Sequence, residues 1–264
     1  MKPSGIISLL TDFGNRDGYV AAMKAVILRI NPRATLIDLS HEIEPQNVQA
    51  GAFLLSSQSR FFPAGTIHVA VIDPGVGTKR RLLAVQATEQ FYLAPDNGLL
   101  DFCIELGIKR AVEITNHALW RQPVSNTFHG RDILAPVAAH LSLGKPLQDF
   151  GIKAELVRRL PALKFSLSER EILGQIVYID RFGNLITNIS SQVLREFAGE
   201  DDVEINIEGK MIGPLLSTYG SAGVGAPVAV IGGFDRLEIG VNEGDASIFF
   251  GARIGDAITV CKKK

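Results

Sequence analysis

The segment IISLLTDFGNRDGYVAAMKAVILRI, residues 6–30, reads as a strand, an acidic turn and a helix in immediate succession. Ile6 to Leu10 is a short apolar run of strand length, and Gly18 to Ile30 carries a helical pattern. The same alternation continues outward. Thr35 to Leu39 returns to strand, Gln46 to Gln58 to helix, Ile67 to Ile72 and Leu82 to Gln86 to strand, and Gly98 to Leu106 and Ile133 to Leu143 to helix. Alternation of this kind predicts an N-terminal α/β domain with a largely parallel sheet, here residues 1–163. In such sheets ligands gather beyond the carboxyl ends of the strands, which is where Asp12 and Asp73 fall.

After Leu163 the pattern changes. Lys164 to Arg170 is polar and serine-bearing, as a linker would be, and short strands separated by glycine follow: Ile172 to Asp180, Val203 to Ile207, Pro227 to Ile231, Leu237 to Val241 and Ala257 to Val260. Residues 171–264 are therefore expected to form a small all-β domain. There is no internal repeat and no long low-complexity segment.

With 264 residues, 46% of them hydrophobic, the chain has ample material for a buried core. A formal net charge of −1 supplies no general attraction to nucleic acid or to an anionic membrane, and the one basic cluster, Lys262 to Lys264, reads as a solvated end. Cys103 and Cys261 stand far apart without zinc-like spacing and are expected as buried free thiols. No signal segment or membrane span is visible, and the cytoplasm is the expected location.

Four segments carry chemistry: DFGNRD at 12–17, VIDPGVGTKRR at 71–81, TFHGRD at 127–132 and DRFGN at 180–184. In the second, Pro74 keeps Asp73 extended, while Gly75 and Gly77 permit a close turn that brings an arginine back toward the acid. Taken singly, each segment has a plainer reading. Asp73 would cap its turn, Arg80 would be a surface cation, His129 a loop histidine, Asp12 and Asp17 acids at a helix start, and DRFGN a hairpin connection. The tripeptide Asp12-Phe13-Gly14 also occurs in protein kinases, but twelve residues leave no room for the glycine-rich loop and strand lysine that precede it there.

Together the four segments resemble the S-adenosyl-L-methionine hydroxide adenosyltransferases, water-using relatives of enzymes that halogenate the same substrate. The resemblance implies that Asp73, Arg80 and His129 hold and activate a water. It places Asp12 on the ribose diol, Asp17 near the amino end of the methionine portion, and Phe128 among the substrate-binding residues. In the second domain it implies an α-ammonium partner in Asp180, an adenine-stacking ring in Phe182 and an edge-pairing amide in Asn184, with Tyr219 as a second aromatic face.

The implied reaction is hydrolysis of S-adenosyl-L-methionine to adenosine and L-methionine, with neither metal nor redox cofactor. Also implied is a homotrimer whose sites lie at the seam between the α/β domain of one subunit and the β domain of the next. The alternatives are a halogenase using chloride or fluoride and a nonenzymatic adenosine or S-adenosylmethionine sensor. One departure stands out: the halogenating relatives carry a Ser-Arg pair near the positions of Gly233 and Phe234, so Arg236 or backbone N–H groups would have to replace that carboxylate anchor. The remaining histidines, His41, His68, His117 and His140, lack metal-like spacing and read as structural or surface residues.

Overall fold

The computed structural model describes residues 1–155, 158–199 and 202–263. They form two compact units, Met1–Leu160 and the chain from Pro161 onward.

The first unit contains β1 (Ile6–Thr11), α1 (Tyr19–Ile30), β2 (Thr35–Ser40), α2 (Val48–Ser59), β3 (Ile67–Val71), β4 (Leu82–Ala87), β5 (Gln90–Pro95), α3 (Phe102–Leu106), β6 (Ile108–Ile114), α4 (Ala135–Ser142) and β7 (Gly151–Lys153). Its seven strands lie in the order β2-β1-β3-β5-β4-β6-β7. The first four run parallel, as expected, and the remaining pairings are antiparallel, so the sheet as a whole is mixed. Every residue of β3 is buried, which is why it reads as an unbroken apolar run rather than an alternating one. On α1, Val20, Met23 and Ile27 recur at helical spacing and are buried, while Lys24 on another face reaches Asp38 at 2.6 Å. This core, with Ile7, Leu9, Val69 and Val71 against Ala135, Val137 and Ala138 of α4, fixes the carboxyl ends of β1 and β3 side by side.

Several elements differ from expectation. Of Gly98 to Leu106 only Phe102–Leu106 is helical, and the helix expected from Ile133 begins as a wide turn over Gly130–Leu134 before α4. Strands β5, β6 and β7 lie outside the expected elements. The β4–β5 hairpin turns on Thr88-Glu89, with Thr88 at φ 47°, where the usual signal is Asn-Gly or Asp-Gly.

The second unit contains β8 (Ser166–Leu167), β9 (Glu171–Ile179), β10 (Leu185–Ser190), α5 (Ser191–Ala198), β11 (Val203–Ile207), β12 (Lys210–Gly213), β13 (Pro227–Ile231), β14 (Arg236–Val241), α6 (Ala246–Phe250) and β15 (Ala257–Lys262). The strands form an antiparallel array, β12-β11-β15-β9-β10-β14-β13, with β8 on β9. It is a β unit with two short helices, α5 and α6, that the glycine-punctuated pattern did not reveal. The expected linker contributes β8 to the sheet. Lys262 is not a solvated end, since it closes β15 and its ammonium lies 5.5 Å from the Phe197 ring centre; Lys264 falls outside the described residues. Both thiols are free, but only Cys103 is buried, Cys261 being half-exposed.

Candidate active site

Three turns of the first unit meet above the ends of β1 and β3. The first leaves β1 through buried Thr11, whose hydroxyl oxygen accepts from the Phe13 N–H at 3.3 Å and pairs with His41 Nδ1 at 2.8 Å. The His41 carbonyl accepts from Gly14 N–H at 2.7 Å, and His41 Nε2 lies 3.0 Å from Asp38 Oδ1. His41 thus ties down the turn that presents Asp12. Asp12 uses Oδ2 to accept from the Gln46 N–H at 2.8 Å, which orients its carboxylate at the pocket wall.

The second turn leaves β3 at Asp73. Arg80 donates from Nε to both oxygens of Asp73, at 3.0 and 2.9 Å, and from Nη2 to Oδ2 at 2.6 Å. Both side chains are almost wholly buried, at 7% and 6% exposure, so Arg80 is not a surface cation and the Asp73 carboxylate is not a turn cap. Gly77, at φ 78°, lets the loop fold back; a Cβ there would strike the Asn126 carbonyl of the third turn.

The third turn carries TFHGRD. Arg80 Nη2 lies 2.7 Å from His129 Nδ1, so one guanidinium joins all three members of the expected triad. Burial first, and then the adjacent Arg80 cation, hold the His129 pKa below its ordinary value. The imidazole is therefore neutral near pH 7. Since an arginine can only donate, Nδ1 is the acceptor and Nε2 carries the proton. Behind it, fully buried Asp132 accepts from Arg131 at 2.7 and 2.8 Å, from Arg121 at 3.0 Å and from the Ser125 N–H at 2.8 Å. Burial opposes the charge of Asp132, yet these donors keep its pKa low. Asp132 is the residue of this motif that sequence reasoning passed over, and it locks the loop on which His129 sits.

These turns enclose a pocket of about 420 Å³ lined by Asp12, Asp73 and His129 together with Phe13, Tyr19 and Phe128. The three rings touch edge-on or tilted at 5.3 to 5.7 Å, and the Arg131 guanidinium lies 4.7 Å from the centre of Phe128. Phe13 and Tyr19 were missed as pocket residues because each reads equally well as a helix-start hydrophobe. Asp17 is exposed and does not line this pocket.

In the second unit, Asp180 turns its carboxylate on its own loop. Oδ1 accepts from the N–H groups of Phe182 and Asn184 at 2.8 and 2.9 Å, and Oδ2 from the Asn184 amide at 3.0 Å. Asn184 is buried, whereas the Phe182 ring is 74% exposed. Tyr219 donates its hydroxyl to Glu238. Arg236 donates to the Asn188 carbonyl at 3.1 Å. Among the described residues no three His, Cys, Asp or Glu side chains are grouped as metal ligands.

A mixed α/β unit with a hydrogen-bonded Asp-Arg-His triad at its strand ends, followed by a β unit, defines a class of two-unit enzyme chain. The chain matches the family descriptions "SAM hydroxide adenosyltransferase N-terminal domain" over residues 7–151 and "SAM hydroxide adenosyltransferase C-terminal domain" over residues 174–259. It belongs to the SAM hydroxide adenosyltransferase family. A protein of Salinispora tropica named (R)-S-adenosyl-L-methionine hydrolase is 36% identical over 98% of this chain and 99% of its own length. One of the same name from Thermus thermophilus is 35% identical over 97% and 98%. A protein named Fluorinase from an Actinoplanes species is 30% identical over 97% of each chain. Among solved structures, an uncharacterized conserved protein from Thermotoga maritima matches with a TM-score of 0.91 at 37% identity, covering 97% of this chain and 99% of that one.

Proposed function

We propose that this protein hydrolyses S-adenosyl-L-methionine to adenosine and L-methionine. The observation that carries the reading is the single Arg80 guanidinium bonded to both Asp73 and His129 beside the pocket. Its support is the family membership, with hydrolase-named relatives at 35 to 43% identity against 27 to 30% for those named Fluorinase.

The chemistry asks little of the protein. The oxygen of a bound water forms a bond to the ribose C5′ as the C5′–S bond breaks, and the electron pair stays on sulfur. Methionine leaves as a neutral thioether from a sulfonium cation, so the leaving group needs neither a proton nor a metal, and no cofactor takes part. One proton is released from the water. The buried Arg80 charge lowers the cost of hydroxide character on the attacking oxygen, and the His129 Nε2–H donates to that oxygen and aims it. With Nδ1 occupied by Arg80, Asp73 is the triad member proposed to take the proton, through the lone pairs that its bonds to Arg80 leave over.

Within the same proposal Asp12 binds the ribose diol, Asp17 and Asp180 the ammonium group, Phe128 the pocket end of the substrate, and Phe182, Asn184 and Tyr219 the adenine. Asp180 would serve through lone pairs left over from its turn. The assembly is proposed as a homotrimer, each site drawing on two subunits, and the protein as cytoplasmic. The exposed apolar side chains Phe182, Ile248 and Phe249 of the second unit support a covered surface there. No helix of the described residues is long and apolar enough to cross a membrane.

The reading is tested by incubating purified protein with S-adenosylmethionine in halide-free and halide-containing buffer and separating the nucleosides. Adenosine and methionine in equal amounts are expected in both. A 5′-halogenated deoxyadenosine as main product, or saturable binding without turnover, would overturn it.

A further inference from the structure

Strand β14 alternates cleanly: Leu237, Ile239 and Val241 enter the core of the second unit, while Glu238 and Gly240 face the other way. Glu238 is nonetheless buried, at 3% exposure, flanked across the sheet by Ile186 and Val230. Burying a carboxyl group is unfavourable unless a partner compensates it, and a leucine would fill the same space without that cost. The hydrogen-bond partner of Glu238 is the Tyr219 hydroxyl. Burial raises the Glu238 pKa, with Asp180 adding to the effect, and Tyr219 is likewise driven up, first by burial and then by Glu238, so the phenol stays a donor.

The consequence lies at the ring. A Cβ on Gly240 would come within 3.0 Å of two Tyr219 ring carbons and 2.9 Å of Asn184 Oδ1, so the ring and the amide lie side by side over a bare stretch of backbone. Tyr219 remains 36% exposed, which leaves ring surface open to a ligand. Tyr219 sits on a loop, in a single turn over Tyr219–Ser221, and its hydroxyl bond to Glu238 joins it to the sheet.

We infer that Glu238 is a positioning residue for nucleoside recognition: by accepting the Tyr219 hydroxyl it fixes that ring beside Asn184, making a preformed platform for a purine. It touches no substrate and acts through Tyr219. The inference deepens the reading of the site as one for S-adenosylmethionine and rests on it.

Adenosine affinity by calorimetry, with kcat and KM for S-adenosylmethionine, tests it in Tyr219→Phe, Glu238→Leu, Glu238→Gln and the Tyr219→Phe/Glu238→Leu double variant. Tyr219→Phe and Glu238→Leu should each weaken adenosine binding about tenfold and raise KM in step, with kcat near the parent value. The double variant should lose no more than either single one, because both remove the same bond. Glu238→Gln still offers an acceptor oxygen and should recover affinity to within about threefold. Parent-like affinity in Tyr219→Phe or Glu238→Leu, multiplying losses in the double variant, or equal losses in Glu238→Gln and Glu238→Leu would overturn the inference. Should Glu238→Leu fail to fold, Tyr219→Phe and Glu238→Gln decide between these outcomes. A parent protein that neither binds adenosine nor hydrolyses S-adenosylmethionine would instead overturn the reading beneath it.

Discussion

Arg80 donates to His129 Nδ1 at 2.7 Å, and this one bond decides what the histidine can offer the pocket. Its accepting nitrogen is occupied and its other nitrogen holds a proton, so His129 presents a donor to the attacking oxygen. Because the same guanidinium is fixed on Asp73, the three side chains act as one unit and should fail as one unit.

Arg80→Ala and His129→Ala should each lower kcat by about 10² to 10³ while substrate affinity changes little, since both groups act on charge that develops in the transition state. The double variant should be little worse than the singles. Raising the pH should not restore His129→Ala, because the proton acceptor Asp73 is still in place and what is lost is the donor that aims the oxygen. Steady-state kinetics with folding checked by circular dichroism measures this, and parent-like turnover in both variants would place water activation elsewhere.

The lowered His129 pKa sets the acid limb of the rate profile. Protonation would put a cation against Arg80 and break the Nδ1 bond, so activity should hold below pH 6.5 and fall only at more acidic values. A midpoint above 6.5 would mean that the imidazole is stabilised in its charged form. That outcome conflicts with the geometry.

Asp12→Ala should weaken adenosine and S-adenosylmethionine alike by roughly 1.5 to 3 kcal/mol, because the ribose diol is common to both. Methionine affinity should not change. Calorimetry with the three ligands separates this role from a general loosening of the turn that His41 holds.

Away from the site, fully buried His68 pairs with Ser8 at 2.6 Å and Gln90 at 3.2 Å, and burial pushes its pKa down from 6.5 to about 4. The unfolded chain binds this proton at higher pH than the folded one. Stability from His68 is therefore complete above pH 6.5 and lost as the pH falls toward 4. At about pH 4.5 the loss should reach roughly 2 to 3 kcal/mol relative to neutral pH. Urea melts of the parent and His68→Gln across this range should converge by about that amount, and parallel curves would refute the assignment.

Much of this was legible in the residues themselves. The run Ile67 to Ile72 ending in Asp73 announced a buried parallel strand with an acid at its carboxyl end, and the sheet places it beside Asp12 as that pattern requires. The antiparallel half of the sheet was not legible, because Thr88-Glu89 forms a hairpin turn without the residues that usually mark one. Polar residues whose partners are distant in sequence were invisible for a related reason. Asp132 is anchored by Arg121 and Ser125, His41 by Thr11, and Glu238 by Tyr219, and no local period encodes such pairings. Asp180 shows the converse, for a motif that resembles a ligand site also closes its own turn.

The most direct test of the central claim follows the oxygen. Turnover of S-adenosyl-L-methionine in oxygen-labelled water, with the nucleoside analysed by mass spectrometry, should give adenosine carrying the label at its 5′ hydroxyl and an equal amount of unlabelled methionine. Adenosine without the label, or a 5′-halogenated nucleoside in its place, would contradict attack by a water held at Asp73, Arg80 and His129.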